Sequence, residues 1–190
     1  WTLPANMAIA VGGTLPYVLV RIGDSLAIVA EGRLEAMQAV LGDVDVTMVG
    51  RCMGEALAGL IYDHPFCDRQ SPILTADHVT LEEGTGLVHT APGHGTEDYV
   101  VGLEAGLDVY CPVQGDGTYD DTVPAWLNGM SVWDANEVIM SRLRETGHLV
   151  HHVEYSHSYP HDGRSKTPVI FRSTEQWFID VDRAFGGSGS

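Results

Sequence analysis

The stretch Gly84-Thr85-Gly86-Leu87-Val88-His89-Thr90-Ala91-Pro92-Gly93-His94-Gly95-Thr96-Glu97-Asp98-Tyr99 decides how the rest of this chain is read. Leu87-Val88 is a short apolar run that reads as a strand. Pro92 has no N–H to continue it, and the glycines on either side of His94 invite a loop. Thr96 is a suitable N-cap, and Glu97 and Asp98 then fall in a first helical turn, where the helix dipole favours acids. Val100, Val101, Leu103 and Leu107 supply an apolar helix face. The prediction is strand, glycine-rich loop, helix, with His89 closing the strand and Asp98 opening the helix so that both can face one crevice. No Gly-Lys-Ser/Thr follows, so this is not a P-loop, and the glycine spacing is not that of a dinucleotide fingerprint.

Upstream, Met7–Val11, Tyr17–Ile22 and Ser25–Ala30 read as strands, Arg33–Leu41 as a helix stopped by Gly42, and Val44–Val49 as a half-buried strand. Gly54–Leu60 is ambiguous because its glycines weaken a helix, and Tyr62–Phe66 reads as a turn. Leu74–Leu81 reads as two short strand pieces. Downstream, Asp108–Val113 is expected to be a strand and Trp126–Met130 a loop. Asp134–Thr146 is expected to be a helix capped by Asp134, with Val138, Ile139 and Leu143 on its apolar side and Gly147 at its end. Leu149–Tyr155 is expected to be a strand. Many short strands with few helices, not regularly alternating, predict an α+β fold with a β-barrel-like core and peripheral helices.

The chain has 190 residues, suited to one domain, with 44% apolar residues. A domain over 1–185 is expected, with Gly186–Ser190 as a flexible linker tail, and the start at Trp suggests a fragment or processed product. No segment has the length of a membrane span. Cys52, Cys67 and Cys111 are scattered without C-x-x-C spacing, which fits a reducing, cytoplasmic setting. Ten Lys and Arg face 26 Asp and Glu, a net charge of −16. Nucleic-acid affinity rests largely on cations neutralising phosphates, so this chain is not expected to grip RNA strongly by itself.

The literal string Gly-Thr-Gly-x-Val-His-Thr-Ala-Pro-Gly-His-Gly-x-x-Asp-Tyr resembles the signature of the editing domain of isoleucyl-tRNA synthetases. Trp1-Thr2-Leu3-Pro4-Ala5-Asn6 resembles a second motif of that domain. Lys166-Thr167-Pro168-Val169-Ile170-Phe171-Arg172 with Gln176-Trp177-Phe178 resembles the segment that returns to the catalytic body. The related valyl and leucyl editing domains carry a Pro-Ala-His-Asp type loop in place of Pro-Gly-His-Gly. The resemblance covers about residues 1–180 and implies the same β-barrel core with peripheral helices.

It also implies hydrolysis of valine misattached to isoleucine tRNA, and of valyl-adenylate, by water as nucleophile, without metal or cofactor. Asp98 would grip the substrate's α-ammonium through a charge-assisted contact. His89 would be the pocket wall that excludes isoleucine. One methylene is worth only about 1–3 kcal/mol in binding, a limit for which isoleucyl-tRNA synthetase is itself the standing illustration. A second, smaller sieve answers that shortfall by clash. Thr2 matches the last threonine of the family's Thr-Thr-Thr-Pro-Trp-Thr-Leu-Pro-Ala-Asn pattern and would contact substrate. The N–H groups of Gly93, His94 and Gly95 would hold the ester carbonyl as charge develops on its oxygen, and His94 could approach the water or the tRNA terminus. The partner would be the aminoacylated 3′ end of isoleucine tRNA, delivered by the rest of a synthetase, with valine as ligand, no membrane and a monomeric domain. The His-Ile-Gly-His and Lys-Met-Ser-Lys-Ser motifs of amino-acid activation are not in this sequence.

Two alternatives stay open from the residues. One is a metal-dependent hydrolase using His89, His94 and Asp98, although their spacing matches no familiar metal motif. The other is a catalytically silent substrate-binding fragment, because the three preceding threonines lie outside this sequence. His148, His151, His152, His157 and His161 read as a solvated, partly structural group, since alternate strand residues point to opposite faces.

Overall fold

The structure, a computed structural model, describes residues 1–82, 84–153 and 159–181. Seven strands form two sheets. β1 (Ala8–Val11), β5 (Ile61–Asp63), β6 (Gln70–Thr75) and β7 (Leu87–Thr90) make a four-stranded sheet in the order β5-β6-β1-β7. β1 runs parallel to β6 and antiparallel to β7, with Ile9 opposite His89. β2 (Pro16–Ile22), β3 (Ser25–Ala30) and β4 (Val46–Met53) make an antiparallel sheet in the order β3-β2-β4. Three helices follow the chain: α1 (Leu34–Leu41), α2 (Thr96–Glu104) and α3 (Val132–Glu145).

The two sheets share one core. Val11 and Ile73 from the first meet Tyr17 and Ala30 from the second, with Leu57 between. Tyr17 also ties the sheets by hydrogen bonds. Its hydroxyl accepts from the Gly12 N–H at 2.9 Å and donates to the Gly86 carbonyl at 2.6 Å. Gly86 has φ +76°, and a Cβ there would lie 2.4 Å from that of Ala30, so only glycine fits at the entry to β7. A second cluster packs α3 through Val132, Ala135, Ile139 and Leu143 onto Val113, Tyr119, Val123 and Leu127. The α+β architecture of short strands with peripheral helices matches the sequence reading.

Several local expectations are corrected. β4 runs to Met53 because β2 pairs with it along its whole length. Ile61–Asp63 is a strand, and the turn begins only at His64. β6 starts at Gln70 and ends at Thr75, after which Ala76 turns by donating its N–H to Val11. Gly54–Leu57 is a 3₁₀ turn. Asp108–Val113 forms no strand: Pro112 lacks a donor, and Val113 makes a single bridge to Tyr119. Residues 149–153 are irregular, with Val150 and Val153 exposed, and the remainder of that expected strand lies outside the described residues.

The helix caps also differ. α3 begins at Val132, and Ser131, not Asp134, caps it by accepting the Trp133 N–H at 3.3 Å. Its buried side is Val132, Ala135, Ile139 and Leu143, while Val138 faces outward. α2 is preceded by Gly95 as N-cap, so Thr96 is its first helical residue. The expected apolar face of α2 is only partly covered: Val101 packs against the Ala10, Ala76 and Val79 cluster, while Val100 and Leu103 are 49% and 53% exposed. The helix instead approaches the loop through Gly102, where a Cβ would come within 2.6 Å of Pro92.

Candidate active site

Residues 1–6 enter the fold as a 3₁₀ turn over Leu3–Ala5, with Thr2 as its N-cap. Three side chains from distant parts of the chain hold it. Tyr119 donates its hydroxyl to the Trp1 carbonyl. His64 donates Nε2–H to the Leu3 carbonyl at 2.9 Å, while its Nδ1 accepts the Cys67 N–H at 3.0 Å. Arg69 donates to the Pro4 carbonyl at 2.6 Å and lies over the Tyr110 ring. Burial is the main cause of a lowered His64 pKa. Thr2 is therefore a held, half-buried residue.

His89, on β7, sits between Thr2 and Asn6. Asn6 donates its amide to the Ala8 carbonyl at 2.9 Å, and its Oδ1 accepts the Tyr62 hydroxyl. The amide nitrogen must therefore face Ala8, and it also meets His89 Nδ1 at 2.7 Å. A donor at that position makes Nδ1 an acceptor and places the imidazole proton on Nε2. Nε2–H then donates to Thr2 Oγ1 at 3.1 Å. Thr2 keeps its own hydroxyl proton to donate elsewhere. Burial first, then the positive charges of the chain amino group, His64 and His94, press the His89 pKa down to about 4. The ring is neutral at physiological pH and fixed at both nitrogens.

Asp98 occupies the third helical position of α2, where an acid commonly reaches back to the cap. Here the N-cap is glycine, and Oδ2 passes it to accept the Ala91 N–H at 2.8 Å. Asp98 thus closes the loop onto the residue two beyond His89. Its Oδ1 makes no hydrogen bond among the described residues.

The loop itself is shaped by packing. A Cβ on Gly93 would stand 2.3 Å from the Tyr110 carbonyl oxygen, so the residue must be glycine for the loop to lie where it does. The His94 N–H is taken by Ala91 at 2.9 Å, which narrows the expected donor set to Gly93 and Gly95, whose N–H groups have no acceptor among the described residues. His94 is 8% exposed. It donates Nδ1–H to the Phe171 carbonyl at 2.9 Å, so Nε2 carries the lone pair, and this buried atom has no partner among the described residues. Burial is the main cause of its lowered pKa, with Arg172 adding to it. The ring meets Trp1 edge-on at 5.2 Å.

The structure thus joins Thr2 and His89 directly, and ties Asp98 to them through the backbone of Ala91. His94 and the glycines line a neighbouring cleft of about 250 Å³ with Phe171 and Arg172. His89, His94 and Asp98 do not converge as a ligand set, and among the described residues no group of three or more His, Cys, Asp or Glu could hold a metal ion. In the histidine-rich segment, His148 bonds Thr146 and His161 bonds the Tyr159 carbonyl, while His157 lies outside the described residues. Sequence reasoning missed Asn6, Tyr62, His64, Arg69 and Tyr119 as the groups that fix the site. Only Asn6 lay within a recognisable motif.

No protein-family model matches the chain. It is 52% identical over 183 residues to an isoleucine–tRNA ligase of Nitratidesulfovibrio vulgaris, which covers 96% of this chain and 19% of that protein. It is 48% identical over 190 residues to that of Thiobacillus denitrificans, covering all of this chain and 20% of the relative. The ligase of Proteus mirabilis is 46% identical over 183 residues, again 20% of its length. The chain therefore spans about a fifth of the curated relatives it matches. Among solved structures, the crystal structure of GlLeuRS-CP1 superposes with a TM-score of 0.64 over 81% of this chain and 80% of that one, at 18% identity. Among the described residues no helix is long and apolar enough to cross a membrane.

Proposed function

We propose that this chain, homologous to one segment of the isoleucyl-tRNA synthetases and built on the synthetase editing-domain fold, hydrolyses the ester of valine wrongly joined to isoleucine tRNA. The observation that carries the reading is the clamp on His89. A neutral ring held at both nitrogens is a rigid, uncharged wall. Rigidity is what a size sieve needs, since a wall that yields cannot reject one extra methylene.

The other groups fit the same reaction. The free oxygen of Asp98 accepts the α-ammonium common to every aminoacyl group. Thr2, with His89 occupying one of its lone pairs, donates its proton to the substrate. Water attacks the ester carbonyl carbon, and the unpaired N–H groups of Gly93 and Gly95 face the charge that develops on oxygen. The bond to the ribose oxygen breaks, that oxygen takes a proton, with a neighbouring ribose hydroxyl assisting, and valine leaves as the free acid. Valyl-adenylate offers the same ammonium and carbonyl to the same contacts.

The net charge of −16 supports a division of labour in which other parts of a synthetase grip the tRNA and present its acylated end. The test is deacylation of valyl-tRNA(Ile) by this chain and by Asp98→Ala, with and without chelator. Turnover that survives chelation and is lost in Asp98→Ala supports the reading. Equal turnover by both proteins sinks the role of Asp98, and chelator-sensitive turnover favours a metal-dependent hydrolase. Binding of a valine analogue without turnover favours a silent binding fragment.

A further inference from the structure

We propose that Arg69 is a positioning residue for the editing reaction, one that fixes the threonine-bearing turn against the glycine loop. This rests on the editing reading above. Arg69 immediately precedes β6, far in sequence from both parts it touches. Its Nη2 donates to the Pro4 carbonyl at 2.6 Å, within the turn that Thr2 opens. The face of the same guanidinium lies over the Tyr110 ring, with Cζ 4.8 Å from the centroid. Tyr110 in turn backs the glycine loop: its carbonyl oxygen is 2.3 Å from where a Cβ on Gly93 would stand.

The consequence is geometric. Thr2 donates to the substrate while the Gly93 and Gly95 N–H groups face the carbonyl oxygen, so turn and loop must keep one spacing. Thr2 and Trp1 meet His89 and His94. A turn tied at that end alone can pivot about it. Arg69 ties it again at Pro4, and two separated ties remove the pivot. The Ala5 N–H on the Thr2 carbonyl, at 2.9 Å, closes the turn across Pro4 and passes the restraint to Thr2.

Arginine suits this place. A planar cation can donate from its edge while its face covers an aromatic ring, which the compact ammonium of lysine does not do in one geometry. Both supports of the guanidinium are fixed. The His64 N–H donates to the Arg69 carbonyl at 2.9 Å, and the Tyr110 hydroxyl is bonded to that of Thr122 at 2.7 Å. Arg69 makes no ion pair among the described residues, which leaves its charge to the carbonyl, the ring and the Met7 sulfur, 3.6 Å from Nη1.

The test is chemical rescue. A cleft of about 550 Å³ lined by Phe66, Asp68, Arg69 and Tyr110 lets a small cation reach the space that Arg69→Ala vacates. Deacylation of valyl-tRNA(Ile) by Arg69→Ala is expected to lose about 100-fold in kcat, the scale for a misplacement of about 1 Å, with KM unchanged. Methylguanidinium is expected to restore most of that loss, and sodium chloride at the same concentration none. Tyr110→Leu is expected to lose a similar factor, and the double variant no more than either single one, because both break one bridge. In ¹⁵N NMR without substrate, the Gly93 amide signal is expected to shift in Arg69→Ala and the Ala5 signal in Tyr110→Leu, each across the bridge. A folded Arg69→Ala with the kcat of the unaltered chain, a Gly93 signal that stays in place, or a double variant that loses the product of the two single losses overturns the proposal. Should Arg69→Ala not fold, an unmoved Ala5 signal in Tyr110→Leu overturns it equally. Both shifts with no turnover by any protein, the unaltered chain included, would remove the editing reading and leave Arg69 as the tie between turn and loop.

Discussion

His89 donates its Nε2–H to the Thr2 hydroxyl at 3.1 Å, joining residues 87 positions apart in the chain. The direction of that bond is set one residue further back. The Ala8 carbonyl can only accept, so the Asn6 amide nitrogen must face it, and His89 Nδ1 meets a donor. A backbone carbonyl thereby determines which nitrogen of the histidine is protonated and leaves the threonine proton free.

Replacing Asn6 by Asp should invert this order. A carboxylate offers only acceptors, so Nδ1 must carry a proton, while the Thr2 hydroxyl can donate to Nε2 or accept from it. The His89 pKa should rise above about 4. Imidazole ¹⁵N shifts at pH 7 are expected to show Nδ1 unprotonated in the unaltered chain and protonated in Asn6→Asp. An unprotonated Nδ1 in both proteins would mean that Asn6 does not set the tautomer.

Acid should weaken the fold through His89. Its folded pKa, about 4, lies below the ordinary 6.5, so the unfolded chain takes up the proton first as pH falls. The stabilisation is complete above pH 6.5, declines between 6.5 and 4, and changes no further below. Its upper size is about 3.4 kcal/mol, and the lowered pKa values of His64 and His94 act in the same direction. Urea denaturation at pH 7 and pH 4.5 checks this: the loss should be smaller in His89→Phe, and an equal loss in the two proteins would count against it.

Alanine at the two loop glycines should separate packing from chemistry. At Gly93 a Cβ meets the Tyr110 carbonyl oxygen at 2.3 Å and backbone must move, costing ~1–3 kcal/mol. At Gly95, where φ is −144°, a Cβ meets only the Asp98 side chain, at 3.2 Å. Gly95→Ala should keep its stability in urea denaturation and lose turnover by displacing the carboxylate. Comparable destabilisation of the two variants would contradict this assignment.

Much of the fold was legible because it is written locally. β1, β2, β3 and α1 carry uninterrupted apolar patterns, and Gly42 stops α1 with φ +68°. The errors fall where tertiary contacts decide. Val100 and Leu103 have helical spacing yet stay exposed, and α2 approaches the loop through Gly102, against which Pro92 lies. The run from Asp108 to Val113 looks extended, but Pro112 cannot enter a ladder. At the candidate site, His89, Asp98 and Thr2 are the residues that the motifs single out. The groups that hold Thr2 and His89 in place are not among them, since Tyr62, His64, Arg69 and Tyr119 act across 56 to 118 positions through single hydrogen bonds that no periodicity records.

The most direct test of the account is hydrolysis of isoleucyl-tRNA(Ile) by His89→Ala, measured beside valyl-tRNA(Ile) with the unaltered chain as reference. If the clamped ring is the wall of the sieve, the unaltered chain cleaves only the valyl ester and His89→Ala cleaves both. A His89→Ala variant that still cleaves the valyl ester and spares the isoleucyl one would contradict it.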